Sequence, residues 1–313
     1  MSELVFCLMG PTAAGKTAVA LELIKHFPCE IVSVDSAMIY QGMDIGTAKP
    51  DPETLARVPH HFIDCCPPNA TYSAAIFCAE AQSIILDIQR RQRLPLLVGG
   101  TMMYFRALQQ GLSVLPSADP AVRIQLSEQI QQQGGHALHA QLQRVDAVSA
   151  ARIHPNDTQR LQRALEVYLL TGKPWSEQLV ASTPLFSPHF INMALFPEQR
   201  AWLHQRIHDR LQDMLAQGFL TEVKALVQQW QLNAGHPAMR SVGYRQALAY
   251  LNGEIDYPTF CAKVLVATRQ LAKRQLTWLR SWPEMRYFDP ETPQCVAKIV
   301  AYMKQIMHNS KTN

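Results

Sequence analysis

The 313-residue sequence contains no apolar run of 18 or more residues, so no membrane-spanning helix is expected. Its seven cysteines (7, 29, 65, 66, 78, 261, 295) form no CxxC pair and no zinc-ligand spacing. That odd, scattered set excludes a disulfide framework and suits a reducing cytoplasm, where cysteines serve as small apolar side chains. No internal repeat or low-complexity segment is present, and "QQQGG" at 131–135 is too short for a linker. The N-terminal stretch "MSELVFCLMGPT" carries the acidic Glu3 and runs straight into a glycine-rich segment, so no signal peptide is expected. Charged residues make up only 17% and hydrophobic ones 48%, an ordinary globular balance. The length allows one large or two ordinary domains.

Net charge is small, +4, but unevenly spread. Between Arg240 and Arg286 there are eight Lys and Arg against three acids, while the rest of the chain is close to neutral. Such a segment is either a localised polyanion site or a solvated helix face, and charge alone does not separate the two.

The strongest local signal is "GPTAAGKT" at 10–17, which fits the phosphate-loop pattern G-x-x-x-x-G-K-[ST]. Gly10, Pro11, Thr12, Ala13, Ala14 and Gly15 form the loop, Lys16 adds a point charge, and the Thr17 hydroxyl is placed to ligate Mg²⁺. In such loops backbone N–H groups and a helix N-terminus surround linked phosphates. The context is right: the apolar run "ELVFCLMG" (3–10) leads in, and "KTAVALELIKHF" (16–27) reads as a helix. "EIVSVDS" (30–36) and "LPLLVGGT" (94–101) are further buried-type strands, with "SAAIFCAEAQSIILDIQRRQ" (73–92) as a helix between them. "FINMALF" (190–196) and "MRYFD" (285–289) look like later strands. Continuous apolar strands alternating with helices indicate an α/β fold with a parallel sheet.

Between about 117 and 183 the strand signals stop. Helices are expected over 119–133, 136–143, 146–153 and 157–171, with Asp119-Pro120 as a start signal and "TGKP" as a stop. Strands return at 190, so the segment reads as an all-helical insertion (117–183) in an α/β core formed by 1–116 and 184–313. A long helix over 198–230 and another over 258–280 complete the reading.

One expected part is missing. A nucleoside triphosphatase usually has an apolar strand ending in Asp or Asp-Glu, which holds Mg²⁺ and directs water. "LPLLVGGT" ends in Gly99, Gly100 and Thr101 instead. A hydroxyl there donates one hydrogen bond but cannot act as a base near neutral pH. The stretch also reads simply as a tight turn. "VSVDSAMIY" places Asp35 at another strand end, where ligand crevices form in parallel sheets. Asp35 either caps the following turn or, with Ser36 as the cap, keeps its carboxylate free. His60 and His61 are adjacent and point apart, which argues against a shared metal. The twelve methionines read as core filler.

Eight segments in order carry a resemblance: "GPTAAGKT", "VSVDSAMIYQGMDIGTAKP", "VPHHFID", "YSAAIF", "VGGTMMYFRAL", "NDTQRLQRALEVY", "RSVGYRQ" and "ATRQLAKRQLTWLR". Together they resemble the tRNA dimethylallyltransferase (tRNA isopentenyltransferase) family from Leu4 to about Asp289. The resemblance implies a P-loop NTPase/kinase-like parallel-sheet core with a helical insertion. It implies transfer of a dimethylallyl group from dimethylallyl diphosphate to N6 of the adenosine 3′ of the anticodon, with diphosphate released and Mg²⁺ as cofactor. Asp35 would be the base on the adenine amino group, and Thr101 would hydrogen-bond the oxygen bridging prenyl group and diphosphate. Lys16, Arg206 and Arg210 would assist the leaving group. The two arginines lie four apart on one helix face, where salt bridges to Asp209, Asp213 or Glu222 are an equal reading.

The resemblance also implies tRNA contacts. These are Asp35, Ser36, Ala37 and Met38 with Thr101; Arg123; and Gln159, Arg160, Leu161, Gln162 and Arg163 on an insertion helix. On that helix Leu161, Leu165, Tyr168 and Leu169 form the apolar stripe, so the arginines are expected to face outward. The segment Arg240, Ser241, Val242, Gly243, Tyr244 and Arg245 supplies cations and an aromatic suited to phosphates and a stacked base. Lys273, Arg274, Gln275 and Arg280 complete the set, while Trp278 reads as core more readily than as a stacking platform. A tRNA anticodon arm and dimethylallyl diphosphate are thus the expected partners, with no membrane contact and a monomeric, cytoplasmic enzyme. The competing readings are an adenylate isopentenyltransferase, a small-molecule P-loop kinase, and an NTP-dependent RNA-binding switch.

Overall fold

The structure, a computed structural model, describes residues 3–179, 186 and 188–312. The chain forms two compact units, Met1–Gln109 with Phe186–Asn313, and Gln110–Leu185.

The larger unit is built on six parallel strands in the order β3-β2-β4-β1-β5-β6. The first half runs β1 (Leu4–Met9), α1 (Lys16–Ile24), β2 (Cys29–Val34), α2 (Pro52–Arg57), β3 (His60–His61), α3 (Ala74–Arg90), β4 (Leu94–Gly99) and α4 (Met102–Gln110). β1, β2 and β4 are buried along their whole length; β1 and β4 accordingly read as unbroken apolar runs, while β2 also buries Glu30 and Ser33. The period-2 pleat divides β1 between two cores: Val5, Cys7 and Met9 face one, and Leu4, Phe6 and Leu8 the other.

The smaller unit is all helical: α5 (Pro120–Val145), α6 (Ala147–Arg152), α7 (Thr158–Thr171) and α8 (Trp175–Gln178). Asp119 caps α5 by accepting from the Val122 N–H, and Asp157 caps α7 through the Arg160 N–H. α5 is interrupted at Gly134 (φ 78°, ψ 169°), which separates the two helices expected there. The apolar stripe of α7 is Leu161, Ala164 and Leu165; Leu169 lies 45% exposed, one position outside the stripe expected for it.

The chain then returns to the larger unit with β5 (His189–Leu195), α9 (Arg200–Ala216), α10 (Phe219–Trp230), α11 (Tyr244–Leu251), α12 (Tyr257–Arg280), β6 (Arg286–Phe288) and α13 (Cys295–Thr312). The single helix expected over 198–230 is two. Gly218 adopts φ 94°, a left-handed value that ends α9 and starts α10. α13 has no counterpart in the sequence reading. It packs Cys295, Ile299, Val300 and Met303 onto the core that also holds α1.

The carboxyl ends of β1, β2 and β4 open on one edge of the sheet, and their close approach depends on Gly99. A Cβ there would stand 2.0 Å from the Val34 carbonyl oxygen and 2.8 Å from the Val34 Cβ. Both obstacles belong to a strand paired to β4 in register, so neither can swing away. Gly99→Ala is therefore expected to lower stability by about 3 kcal/mol, the upper range of overpacking costs. A chemical denaturation midpoint within error of the parent protein would contradict this.

Candidate active site

The glycine loop, residues 10–17, leaves β1 and feeds α1. Ala13 (φ 64°) and Gly15 (φ 87°) hold left-handed backbone that folds the loop back over the helix N-terminus. Three cations close on it. The Lys16 ammonium donates to the carbonyls of Gly10 (3.0 Å) and Pro11 (2.7 Å). From α9, Arg206 Nε donates to Ala13 O at 2.7 Å. Arg210 donates to Thr47 O at 2.9 Å and more weakly to Thr12 Oγ1 at 3.3 Å. Among the described residues none of the three forms an ion pair. The salt bridges to Asp209, Asp213 or Glu222 that the helix spacing allowed do not form. Glu222 is used elsewhere: it accepts from the backbone N–H groups of Asp44, Ile45 and Gly46 and from the Tyr244 hydroxyl.

Burial brings the Lys16 pKa down to about 8; the Asp35 charge pulls it back and Arg210 pushes it further down. Burial lowers Arg210 as well, again opposed by Asp35. The site is thus a half-enclosed cluster of positive charge next to a helix N-terminus, the arrangement that receives a polyanion.

Asp35 follows β2. Its Oδ1 accepts from the backbone N–H of Ala37 (2.9 Å) and Met38 (3.3 Å). It is therefore the cap of the turn that follows, and Ser36 is not. Oδ2 has no hydrogen-bond partner among the described residues, so one oxygen holds the carboxylate in place while the other remains open to a donor. Thr101 follows β4 and meets Ser36: its Oγ1 accepts from the Ser36 N–H at 3.0 Å and lies 3.3 Å from the Ser36 hydroxyl.

Loop, carboxylate and hydroxyl all line one cleft of about 760 Å³. Its walls include Arg206, Arg210, Arg240 and Arg274 against the acids Asp35 and Asp213. Thr17 lines it too. The segment 46–50, quoted for its pattern but given no role by the sequence, contributes Gly46, Thr47, Ala48 and Pro50. His60 also faces the cleft, but it hydrogen-bonds Val58 O while His61 meets Glu30, so the two rings serve different partners.

Of the residues expected to meet RNA, Ser36, Arg240, Arg245, Lys273, Arg274 and Arg280 are exposed, and Arg280 stacks over Phe196. Four are buried, Gly243 among them. Tyr244 is 1% exposed, packed edge-on against Phe219 and bonded to Glu222, so its ring offers no face to a base. Gln275 is 8% exposed, with both ends of its amide satisfied internally. Leu161, in the helical unit, is fully buried. Within that unit Gln159 and Arg160 are exposed, but Arg163 does not point freely outward. The buried Glu166 carboxylate holds both Arg123 (2.8 Å) and Arg163 (2.7 Å). Gln162 donates to Arg123 O and Ser127 Oγ.

A family model described as IPP transferase matches residues 38–282. It begins after Asp35 and omits the glycine loop, but full-length relatives span both. A tRNA dimethylallyltransferase of Legionella pneumophila (strain Corby) is 53% identical over 313 residues, all of each chain. The same enzyme of Coxiella burnetii (strain Dugway 5J108-111) is 51% identical, covering 96% of this chain and 97% of that one. Among solved structures, a tRNA isopentenylpyrophosphate transferase of Bacillus halodurans aligns with TM-score 0.72 and 32% identity over 99% of both chains. A eukaryotic dimethylallyltransferase aligns with TM-score 0.77 over 98% of this chain and 80% of that one; at 24% identity it speaks for the fold alone.

The depressed Lys16 predicts a pH signature. An anion bound at the ammonium favours its charged form, so binding takes up a proton wherever free Lys16 has lost one. Affinity is then supported by Lys16 below about pH 8 and loses that support as pH rises above it. With inorganic diphosphate as the ligand, the affinity ratio of the parent protein to Lys16→Met is expected to be flat to pH 8 and to fall between pH 8 and 9.5. The ratio cancels the titration of diphosphate itself. A ratio that stays constant over that range would show that Lys16 does not meet the anion.

Proposed function

The chain belongs to the IPP transferase family, and from that premise we propose how its cleft works as a tRNA dimethylallyltransferase. The enzyme transfers a dimethylallyl group from dimethylallyl diphosphate to N6 of the adenosine 3′-adjacent to the anticodon and releases diphosphate. The observation that carries the reading is the pairing, in one cleft, of cations without ion pairs around a glycine loop with Asp35, a carboxylate held at Oδ1 by two backbone N–H groups and open at Oδ2 among the described residues. The core is read as a P-loop, kinase-like sheet whose loop holds a leaving group.

The adenine amino group is a weak nucleophile because its lone pair is conjugated into the ring. Asp35 Oδ2 accepts the N6 proton as the new N6–carbon bond forms, which raises the reactivity of the nitrogen. The allylic C–O bond breaks, and its electron pair leaves on the diphosphate. Lys16, Arg206, Arg210 and the loop N–H groups stabilise that growing charge. Thr101, next to Ser36, hydrogen-bonds the oxygen that bridges the two parts of the donor. No step activates water, so the acid missing from the end of β4 is not required.

The residues present fit Mg²⁺. Among the described residues the Thr17 hydroxyl lines the cleft without a hydrogen bond, and no cluster of three or more acidic, His or Cys side chains competes as a cage. That donor set suits an ion that keeps several waters and takes its other oxygens from phosphates. When bound, the ion neutralises charge on the diphosphate.

The target base must leave the anticodon-arm stack to reach the cleft. Exposed Arg240, Arg245, Lys273, Arg274 and Arg280 are placed to meet RNA phosphates, as are Gln159, Arg160, Arg163 and Arg123 in the helical unit. No described helix is long and apolar enough to cross a membrane. All seven cysteines are free, which supports a cytoplasmic enzyme; we take it to act as a monomer.

Asp35→Ala is expected to reduce transfer by at least about 10²-fold, the lower range for loss of a general base, while tRNA affinity stays close to that of the parent. Mass spectrometry of nucleosides from treated tRNA reads the first, and filter binding the second. Full activity in Asp35→Ala would remove Asp35 from the chemistry. Labelled AMP in place of tRNA tests the small-molecule alternative, which requires prenylated AMP to form.

A further inference from the structure

We propose that Gln275 is a positioning residue that braces the glycine loop against the turn before Thr101, and so fixes where the donor's diphosphate lies. The proposal rests on the reading above for what the cleft holds, and it replaces the RNA contact that the sequence implied for this residue.

Gln275 projects from α12 between the two segments. Its Oε1 accepts from the Thr12 N–H at 2.8 Å, and its Nε2 donates to Gly100 O at 2.9 Å. The side chain is 8% exposed; its bond to Gly100 O is buried and its bond from the Thr12 N–H is part-buried. It also occupies the space a side chain at residue 100 would need: a Cβ on Gly100 would stand 2.4 Å from Nε2.

The two bonds define what can serve here. The position must accept from one backbone N–H and donate to one backbone C=O, from a single side chain of this length. A carboxylate accepts from Thr12 but sets its second oxygen against the Gly100 carbonyl, and its charge opposes an incoming diphosphate. An apolar side chain leaves the part-buried Thr12 N–H without its partner and takes one of two donors from the Gly100 carbonyl, which also accepts from the Met102 N–H at 3.1 Å.

Thr12 is then fixed twice, at its nitrogen by Gln275 and at its hydroxyl by Arg210. The next residue, Ala13, holds φ 64° and is gripped at its carbonyl by Arg206. On the other side the brace ends one residue before Thr101. One amide therefore sets the spacing between the loop that receives the phosphates and the hydroxyl assigned to the bridging oxygen. Its neighbour Arg274 is exposed on the cleft wall, so α12 offers a cation outward and a brace inward.

The test uses the full chain with Gln275→Met and the near-isosteric Gln275→Glu. Binding of inorganic diphosphate with Mg²⁺ is measured by calorimetry, tRNA binding by filter assay, and the donor KM with tRNA saturating. Gln275→Met is expected to weaken diphosphate binding and raise the donor KM by about tenfold, the cost of leaving the Thr12 N–H unpaired and the loop unbraced. Gln275→Glu is expected to weaken both further, and tRNA affinity is expected to hold for each variant. Weakened tRNA binding with unchanged diphosphate binding would return Gln275 to the RNA surface and overturn the proposal, as would unchanged values throughout. If Gln275→Met shows no cooperative thermal transition, Gln275→Glu carries the comparison, because it keeps the shape of the side chain. A parent protein that transfers no prenyl group would refute the functional reading, whereas the diphosphate comparison would still decide the role of Gln275.

Discussion

Positive charge without a paired carboxylate is the constraint around which the larger unit is arranged. Lys16, Arg206 and Arg210 converge on one loop, and among the described residues each hydrogen-bonds only backbone carbonyls or a hydroxyl, there and, for Arg210, at Thr47. Holding Lys16 charged in that setting costs on the order of 3 kcal/mol, from a pKa displaced from 10.5 to about 8. A structural role alone would be served better by an ion pair of the kind Lys49 makes with Asp44 and Asp64 elsewhere in the unit. The cations are kept apart from acids, and the cost is relieved when an anion enters. Among the described residues Asp35 is the carboxylate whose charge is felt by both Lys16 and Arg210, and its orientation is fixed by backbone N–H groups through Oδ1. It therefore remains available at Oδ2 instead of collapsing onto a cation.

The parallel sheet makes this arrangement possible at small sequence cost. Three strand ends deliver the loop, Asp35 and Thr101 to one edge, and the register of β4 against both β1 and β2 sets their spacing. The remaining contacts come from far along the chain: α9 brings the arginines and α12 brings Gln275. Small residues allow the close approach. Gly46 lies where a Cβ would strike the rings of Phe219 and Tyr244, and Glu222 caps the same turn from below. The wall formed by 44–50 is thus held by packing, by Glu222 on its backbone and by the ion pairs of Lys49 with Asp44 and Asp64.

The sequence was legible where a physical signal is local. Buried parallel strands announce themselves as apolar runs, and caps such as Asp119 and Asp157 mark helix starts. The glycine loop is recognised from spacing because its backbone has few alternatives. Legibility failed where the deciding contact is remote. Gly218 looks like a tolerable glycine in a helical pattern until φ 94° shows the chain turning. Whether Asp35 or Ser36 caps the turn depends on backbone geometry, not residue type. Glu222 looked like a partner for the arginines by helix spacing, but it points to residues 44–46 and Tyr244.

The segments aligned with RNA recognition show why a motif cannot be read as a contact list. Each combines exposed cations with an inward residue: Leu161 beneath Arg160, Tyr244 between Arg240 and Arg245, and Gln275 beside Arg274. The inward member fixes the backbone that presents the outward ones, so both belong to the pattern although only one can touch a ligand. Glu166 extends the logic by a different means. Fully buried, it bonds Arg123, Arg163 and the Asp119 N–H. Two guanidiniums on one carboxylate leave a net positive charge held in a defined place. Their rotamer freedom is already lost before any phosphate arrives, and ordering two arginines at that moment would otherwise cost about 0.5–1.5 kcal/mol each. A buried acid among proposed RNA-binding arginines therefore favours binding: it surrenders one unit of charge and preorganises the rest.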